Sequence, residues 1–321
     1  MKRKTKMKRT SVLDKIVFIV IAVILTVYTI TLLLPLGWGL LTSLKSAMDF
    51  HAPKNNVLGL PILEWSEETL KLGNYKNVLK FLDFNRTIKY ISMFGEITHT
   101  TKNAGMLKMV INTILYAGVG ALIKAMVPAI VAHTCTKYKF KFSEVVYAIS
   151  LFVLIVPIVG AYPAELTFLR KIGLYDTIYG SWIQNCSFVG TYYFVFVAYF
   201  KGLSETYDEA AELDGASQLR ILVSIALPLS VKIIATVWLI QFIALWNDYN
   251  TPMMYLPTIP TVAYAIFNIA YGGGSGEANR VLGNVPAQTA ACMLLALPIL
   301  VIFIACKNRI MGSITMGGLK E

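Results

Sequence analysis

Five carboxylates, Glu205, Asp208, Glu209, Glu212 and Asp214, stand within ten residues, and a largely apolar run follows them. Ala210 and Ala211 sit among them and Gly215 closes the stretch. No nucleophile–base pair or metal-ligand spacing accompanies these acids, so the chemistry they offer is docking. Carboxylates attract a cationic partner surface, and small side chains let that surface come close. A charge run is otherwise a solvated face, so the spacing has to decide between the two.

The local signals build an elbow. Thr206 precedes Glu209 by three residues, the spacing of a capping box. A helix over 207–214 follows, and Gly215 stands where a helix end favours a residue tolerant of the left-handed region. A second helix is expected from Ala216 to Pro228.

Other polar residues are scattered. His51, His99 and His133 lie far apart and carry no metal spacing. Cys135, Cys186, Cys292 and Cys306 form no C-x-x-C pair and read as buried, inert thiols. Asn112, Tyr192, Tyr193 and Gln241 fall in apolar stretches; they are candidates for contact with a passing solute, beside the commoner uses of such residues in hydrogen bonds between helices, packing or an interfacial belt. Asp248 reads as a brace at a helix end. Lys124, within the second span, reads first as a lysine reaching toward the cytoplasmic interface, with a polar contact in a translocation path as the alternative. No G-x-x-x-x-G-K-[ST] phosphate loop occurs, and the glycine-rich 271–279 lacks the lysine, so it reads as a flexible outer loop.

The elements that position these residues are membrane spans. Of 321 residues, 56% are hydrophobic and 15% are charged, well below a soluble domain's share of about a quarter. Runs 16–44, 145–164, 177–200 and 281–306 carry no charge. Each is long enough to cross a bilayer core, which needs about 20 apolar residues as helix. Two more spans are expected at 109–132 and around 231–250. Because lipid cannot satisfy backbone groups and these runs do not alternate, the expected fold is an all-α integral membrane protein with six transmembrane helices.

Charge sets the orientation. Lys2, Arg3, Lys4, Lys6, Lys8, Arg9 and Lys15 precede the first span, which places the N-terminus in the cytoplasm. The net charge of +11 therefore reports topology and not a nucleic-acid partner. With six spans the C-terminus is cytoplasmic too, and the acidic elbow faces the cytoplasm between spans 4 and 5. The chain divides into a basic N-terminus (1–15), a first span (16–44), an outer segment (45–106) helical in part around 67–82, a five-helix core (107–306) with its loop at 204–228, and a tail (307–321). The stretch 261–271 is too short to span and is expected as a helix lying at the outer membrane surface.

The pattern Glu209-Ala210-Ala211, then Gly215, then Ile225 and Leu227-Pro228, resembles the EAA loop of ABC importer permeases. "WNDY" (246–249), "INTILYA" and the end "RIMGSITMGGLKE" are similar to segments of the maltose/maltodextrin group of that family. Val231-Lys232-Ile233 departs from the usual lysine–proline pair, and the outer segment is long. The resemblance implies a multi-pass permease of the bacterial cytoplasmic membrane that moves a sugar or oligosaccharide. It implies that Glu209, Ala210, Ala211, Asp214 and Gly215 couple to an ATPase, with Thr206, Ile225, Leu227 and Pro228 supporting the loop. The implied partners are a dimer of ATP-binding subunits, which would hold ATP and Mg, a second permease and an extracellular solute-binding protein. No cofactor, catalytic residue or metal is expected on this chain. An ion-coupled carrier is the alternative, disfavoured by the lack of carboxylates or histidines well inside the spans. A membrane enzyme lacks any clustered catalytic set.

Overall fold

The computed structural model describes residues 12–51, 72–101, 103–138, 141–156, 160–271 and 280–314. The basic N-terminus, most of the outer segment before residue 72, the glycine-rich 272–279 and the last seven residues of the tail lie outside the described residues. The chain forms two compact units, one within Met1–Val78 and Asn284–Met293, the other within Leu79–Gly283 and Leu294–Glu321.

In the first unit, α1 (Val12–Ser43) is strongly apolar; most of its length is exposed on the protein surface, and only its C-terminal end, with Thr42 and Ser43, is buried. A helix of that kind is solvated by lipid. Its last carbonyls have no helical partner. Asn74 Nδ2, from α3 (Gly73–Phe81), donates to Ser43 O at 2.8 Å and Lys45 O at 2.7 Å, and Tyr75 bonds the Ser43 hydroxyl at 2.7 Å. A short α2 (Ala47–His51) lies between them in sequence. A Cβ on Gly39 would stand 2.6 Å from Met293 Cε, so glycine permits that close approach.

The second unit opens with a β-hairpin, which corrects the all-α expectation. Strands β1 (Arg86–Ser92) and β2 (Gly95–Thr101) pair antiparallel, with Ser92 opposite Gly95. "RTIKYIS" carries the alternation of a strand, with Tyr90 and Ser92 buried and Lys89 and Ile91 exposed. The hairpin is fixed through Asp176, whose side chain is fully buried. Its carboxylate accepts from His99 Nδ1 at 2.9 Å and from the Thr258 amide at 2.9 Å, and from the Thr258 hydroxyl. Tyr90 donates to Tyr175 O at 3.1 Å; burial, then the Asp176 carboxylate, raise its phenol above the ordinary value.

A helical rod, Met106–Lys137, follows: α4 (Met106–Thr113), a π-helical stretch (Ile114–Val119) and α5 (Gly120–Lys137). The π stretch turns carbonyls outward, and two indoles take them: Trp182 donates to Leu115 O at 3.1 Å and Trp238 to Gly118 O at 3.2 Å. Along α5, Ala125, Ala129 and Ala132 are fully buried and pack against Phe196 and Phe200 of α9 (Thr191–Lys201).

Absence of charge did not guarantee an unbroken helix. The run 177–200, expected as one span, is two helices, α8 (Ile178–Gln184) and α9. Asn185 turns its side chain back to Ser181 O at 2.8 Å, and Gly190 adopts φ 139°. The run 145–164 is likewise broken: α6 (Lys141–Ile155) stops, and α7 (Ala161–Lys171) begins beyond Gly160 at φ 85°. Four helical segments are long and apolar enough to span: Leu13–Ser43, Met106–Lys137, Gln218–Trp246 and Val285–Ala305, with Phe142–Ile155 shorter. The molecule is thus a mostly helical membrane protein with at least four candidate spans among the described residues.

The stretch 261–271 is helical (α14, Val262–Ala270), but it does not lie on a surface. Val262, Ala263, Tyr264, Ala265, Ile266 and Ile269 are buried, and the Val262 amide donates to Thr113 Oγ1 of α4 at 2.9 Å.

The alanine seam generates a prediction. Ala129→Leu overpacks the α5–α9 contact and should lower stability by about 1–3 kcal/mol, read as the unfolding midpoint of the detergent-solubilised protein. Leu122→Ala, 48% exposed on the same helix, should change it little.

Candidate functional site

The acidic elbow forms around α10 (Thr206–Leu213). Its helix starts at Thr206, the residue expected as the cap, so the cap position falls one residue earlier, on Glu205. Glu205 is already in the right-handed helical region, and its carbonyl accepts from the Asp208 and Glu209 amides, both at 3.0 Å. The capping box between Thr206 and Glu209 therefore does not form; the Thr206 hydroxyl bonds Ser204 Oγ at 2.7 Å instead. Asp208 and Glu209 occupy the first turn, where the helix dipole favours negative charge.

The far end closes as a Schellman motif. Ala216 N donates to Ala211 O at 2.9 Å and Gly215 N to Glu212 O at 3.0 Å, with Gly215 at φ 76°. Asp214 precedes it as the C-cap. The alanine pair divides: Ala211 is buried, whereas Ala210 and Glu209 are exposed. Leu213 and Leu219 are 90% and 71% exposed, so an apolar rim borders the acids.

Ser217 caps the next helix, its Oγ accepting from the Arg220 amide at 3.4 Å. That helix does not stop at Pro228. It runs from α11 (Gln218–Ile221) through a π stretch (Leu222–Ala226) into α12 (Leu227–Trp246). Proline lacks an N–H and its ring crowds the carbonyl four residues back. The wider π turn ahead of Pro228 relieves that crowding, which is why the rod continues. Ile225 and Leu227 are half-buried, and Leu227 packs on the α5–α9 core.

A cavity of about 440 Å³ lies along α5, α9 and α12. Tyr192, Tyr193 and Gln241 line it, together with Lys124, Glu165, Gln184, Asn185 and Asp248. Asn112 does not; its amide donates to Pro260 O at 3.0 Å. Lys124 faces this cavity, in place of the expected reach to the cytoplasmic interface. Tyr193 is buried, and its hydroxyl lies beside the Cys135 thiol.

The two carboxylates of the cavity are held by the protein. Asp248 Oδ2 accepts from Tyr116 at 2.9 Å, while Oδ1 accepts from the Asn250 and Thr251 amides at 3.0 and 3.1 Å. It thereby caps α13 (Asn250–Tyr255), the bracing read from sequence, and also faces the cavity. Glu165 of α7 accepts from Gln184 at 2.9 Å and from Tyr255 at 3.0 Å; burial, then this carboxylate, raise the Tyr255 phenol.

Sequence reasoning passed over Glu165 and Gln184 because they lie at breaks in the uncharged runs, and the breaks themselves went unread. Glu165 and Asp248 also weaken the sequence argument against an ion-coupled carrier, since carboxylates do face the cavity. The decision between the two readings rests elsewhere.

The family model described as "Binding-protein-dependent transport system inner membrane component" matches residues 125–310. The chain is 24% identical to the melibiose/raffinose/stachyose import permease protein MelC of Bacillus subtilis, over 71% of this chain and 81% of that one. It is 24% identical to the trehalose/maltose transport system permease protein MalG of Thermococcus litoralis, over 97% and 99% of the two chains. In fold it resembles a chain in the crystal structure of a bacterial ABC transporter involved in import of the acidic polysaccharide alginate, with TM-score 0.69 and 22% identity over 94% of this chain and 99% of that one. The matched region contains both the elbow and most of the cavity wall, and it settles the question the cavity's carboxylates had reopened: this chain belongs to the family of binding-protein-dependent inner membrane transport components, as a non-catalytic ABC permease subunit.

Proposed function

We propose that the chain is one of two permease subunits of an ATP-driven importer of a sugar or oligosaccharide. The observation that carries this reading is the exposed acidic elbow, set between α9 and the long Gln218–Trp246 helix and closed by Gly215 in the left-handed region. In this reading α10 is the coupling helix. Glu209 and the exposed Ala210 meet a basic groove on the ATP-binding subunit, and Ala211 seats the helix on its own protein. Asp214 and Gly215 form the stiff corner that passes motion to the span behind it. Thr206, Ile225, Leu227 and Pro228 shape the two ends of that corner. ATP and Mg belong to the partner dimer, and a solute-binding protein outside the cell delivers the solute.

The carbohydrate assignment draws on the cavity. Tyrosine rings supply apolar faces, while amides and bound carboxylates supply hydrogen-bonding partners, the mixture that a polyhydroxylated ring requires. The names of the relatives point to the same class of solute. Tyr192, Tyr193 and Gln241 are assigned to the solute path; Asn112, engaged elsewhere, is assigned to helix packing.

Six spans with both termini in the cytoplasm complete the proposal. The broken α8–α9 region serves as the fourth span, and the lysines and arginines of residues 1–15 hold the N-terminus inside.

Three outcomes are expected. In a cysteine-free background, a cysteine at position 213 should react with a membrane-impermeant maleimide only after the cells are permeabilised; labelling of intact cells from outside overturns the orientation. Gly215→Trp forces a bulky residue into the left-handed region, at roughly 1–2 kcal/mol. The subunit should still insert, and uptake should fall about tenfold, within the usual range of coupling between sites; undiminished uptake removes the coupling role. Gln241→Ala should raise the KM for uptake about tenfold, the loss of one hydrogen bond to the solute, with membrane abundance unchanged.

A further inference from the structure

Beyond the elbow itself, the way it is attached to the body is informative. Among the residues of α10, Ala211 alone is buried. Little apolar packing therefore holds this helix to the spans, and a helix so loosely seated would pivot about its connecting residues when pulled. One side chain bridges the gap. Lys137, the last residue of α5, places Nζ 3.1 Å from Asp208 Oδ2 and donates to Leu203 O at 3.0 Å. It thus holds both the first turn of α10 and the chain that leads into it from α9.

This is not a loose surface pair. The Lys137 and Asp208 side chains are 8% and 17% exposed. Exposed ion pairs contribute little, but breaking a largely buried one strands the surviving charge away from water. Tyr138 stands beside them; burial, then the Asp208 and Glu212 carboxylates, raise its phenol above the ordinary value. His133, one turn earlier on α5, is buried against Phe200 with ring centroids 5.1 Å apart, which fixes this end of the helix to α9.

The other end of the same helix is a wall of the cavity, through Lys124 and Pro128. Thirteen residues separate Lys124 from Lys137, a distance of about 20 Å along one helix. The alanine seam joins α5 to α9 over this length, so the two helices resist sliding past each other.

We propose that Lys137 is a positioning residue, the strut through which displacement of α10 reaches α5 and hence the cavity wall. The proposal rests on the reading of α10 as a coupling helix. Lys137 touches neither solute nor nucleotide; it acts through Asp208 and the Leu203 carbonyl. Motion that enters at Gly215 reaches the long α11–α12 helix. Motion that enters at Asp208 reaches α5. The two routes together would move two walls of the cavity, α5 and α12, as one event.

The test uses the complete transporter, reconstituted with its ATPase, second permease and binding protein. Uptake and ATP hydrolysis are measured on the same vesicles. In Lys137→Met and Asp208→Asn, the ATPase should still co-purify and hydrolyse ATP, while solute moved per ATP falls about tenfold. Lys137→Arg, which keeps the charge, should stay near wild type. The exchange Lys137→Asp with Asp208→Lys should restore solute moved per ATP above either single variant. A pair that only stabilised the fold would lower membrane abundance and leave that ratio unchanged.

Wild-type ratios in Lys137→Met, or an exchanged pair that inserts yet moves no more solute than the single variants, overturn the strut. Should the single variants fail to insert, the exchanged pair decides: recovery of insertion and transport together supports the strut, and recovery of insertion alone, or failure of both, overturns it. Uptake by the wild type without ATP is a different result. It removes the coupling reading itself, and the strut with it.

Discussion

The small-residue seam of α5 is the constraint on which the rest of this structure depends. In lipid, apolar helices gain no hydrophobic advantage by meeting one another, so association has to come from close packing and internal hydrogen bonds. Gly120, Ala121, Ala125, Ala129 and Ala132 supply the closeness. A Cβ on Gly120 would stand 3.1 Å from both Asn185 Nδ2 and Leu245 Cδ1. The aromatic residues of α9 fill the space these small residues leave, and Tyr193, Phe196 and Phe200 are buried there. Enlarging any one of these small residues would push α9 or α12 away from the axis about which the molecule is organised.

That seam places the cavity and the elbow on one helix. Toward one end α5 faces the polar cavity with Lys124; at the other it meets the acidic elbow through Lys137. A rigid helix held on two sides transmits displacement, whereas a loosely held one dissipates it. The polar groups are managed in the same economical way. Asp248 both caps α13 and faces the cavity, Asp176 ties the hairpin to two separate loops, and the carbonyls freed by the π stretch receive tryptophan N–H groups. Each buried polar atom so satisfied removes a desolvation cost that would otherwise count against insertion or folding.

The hairpin illustrates how far outer structure can be fixed without a large core. Its turn leaves Met93 and Phe94 exposed, yet its inward residues are locked by His99 to Asp176, by Tyr90 to Tyr175 and by Arg86 to Tyr264 at 2.5 Å. The partners on the helical side come from segments scattered from 175 to 264 in the chain. The hairpin therefore reports that these segments are correctly assembled.

The sequence by itself determined the solvent, the helical class and the elbow. Long uncharged runs require lipid, lipid requires satisfied backbone, and the glycine after Asp214 requires a left-handed turn; each of these is local, so each was legible. Tertiary structure alone decided where helices break, because a run without charge is silent about a side chain such as Asn185 folding back on its own carbonyls. It alone placed Lys124 at a cavity and split the alanine pair into one buried and one exposed residue, since those depend on which face a neighbouring helix covers. It alone brought Lys137 to Asp208, two residues 71 positions apart in the chain, because a contact of that separation exists only after α5 and α9 have packed.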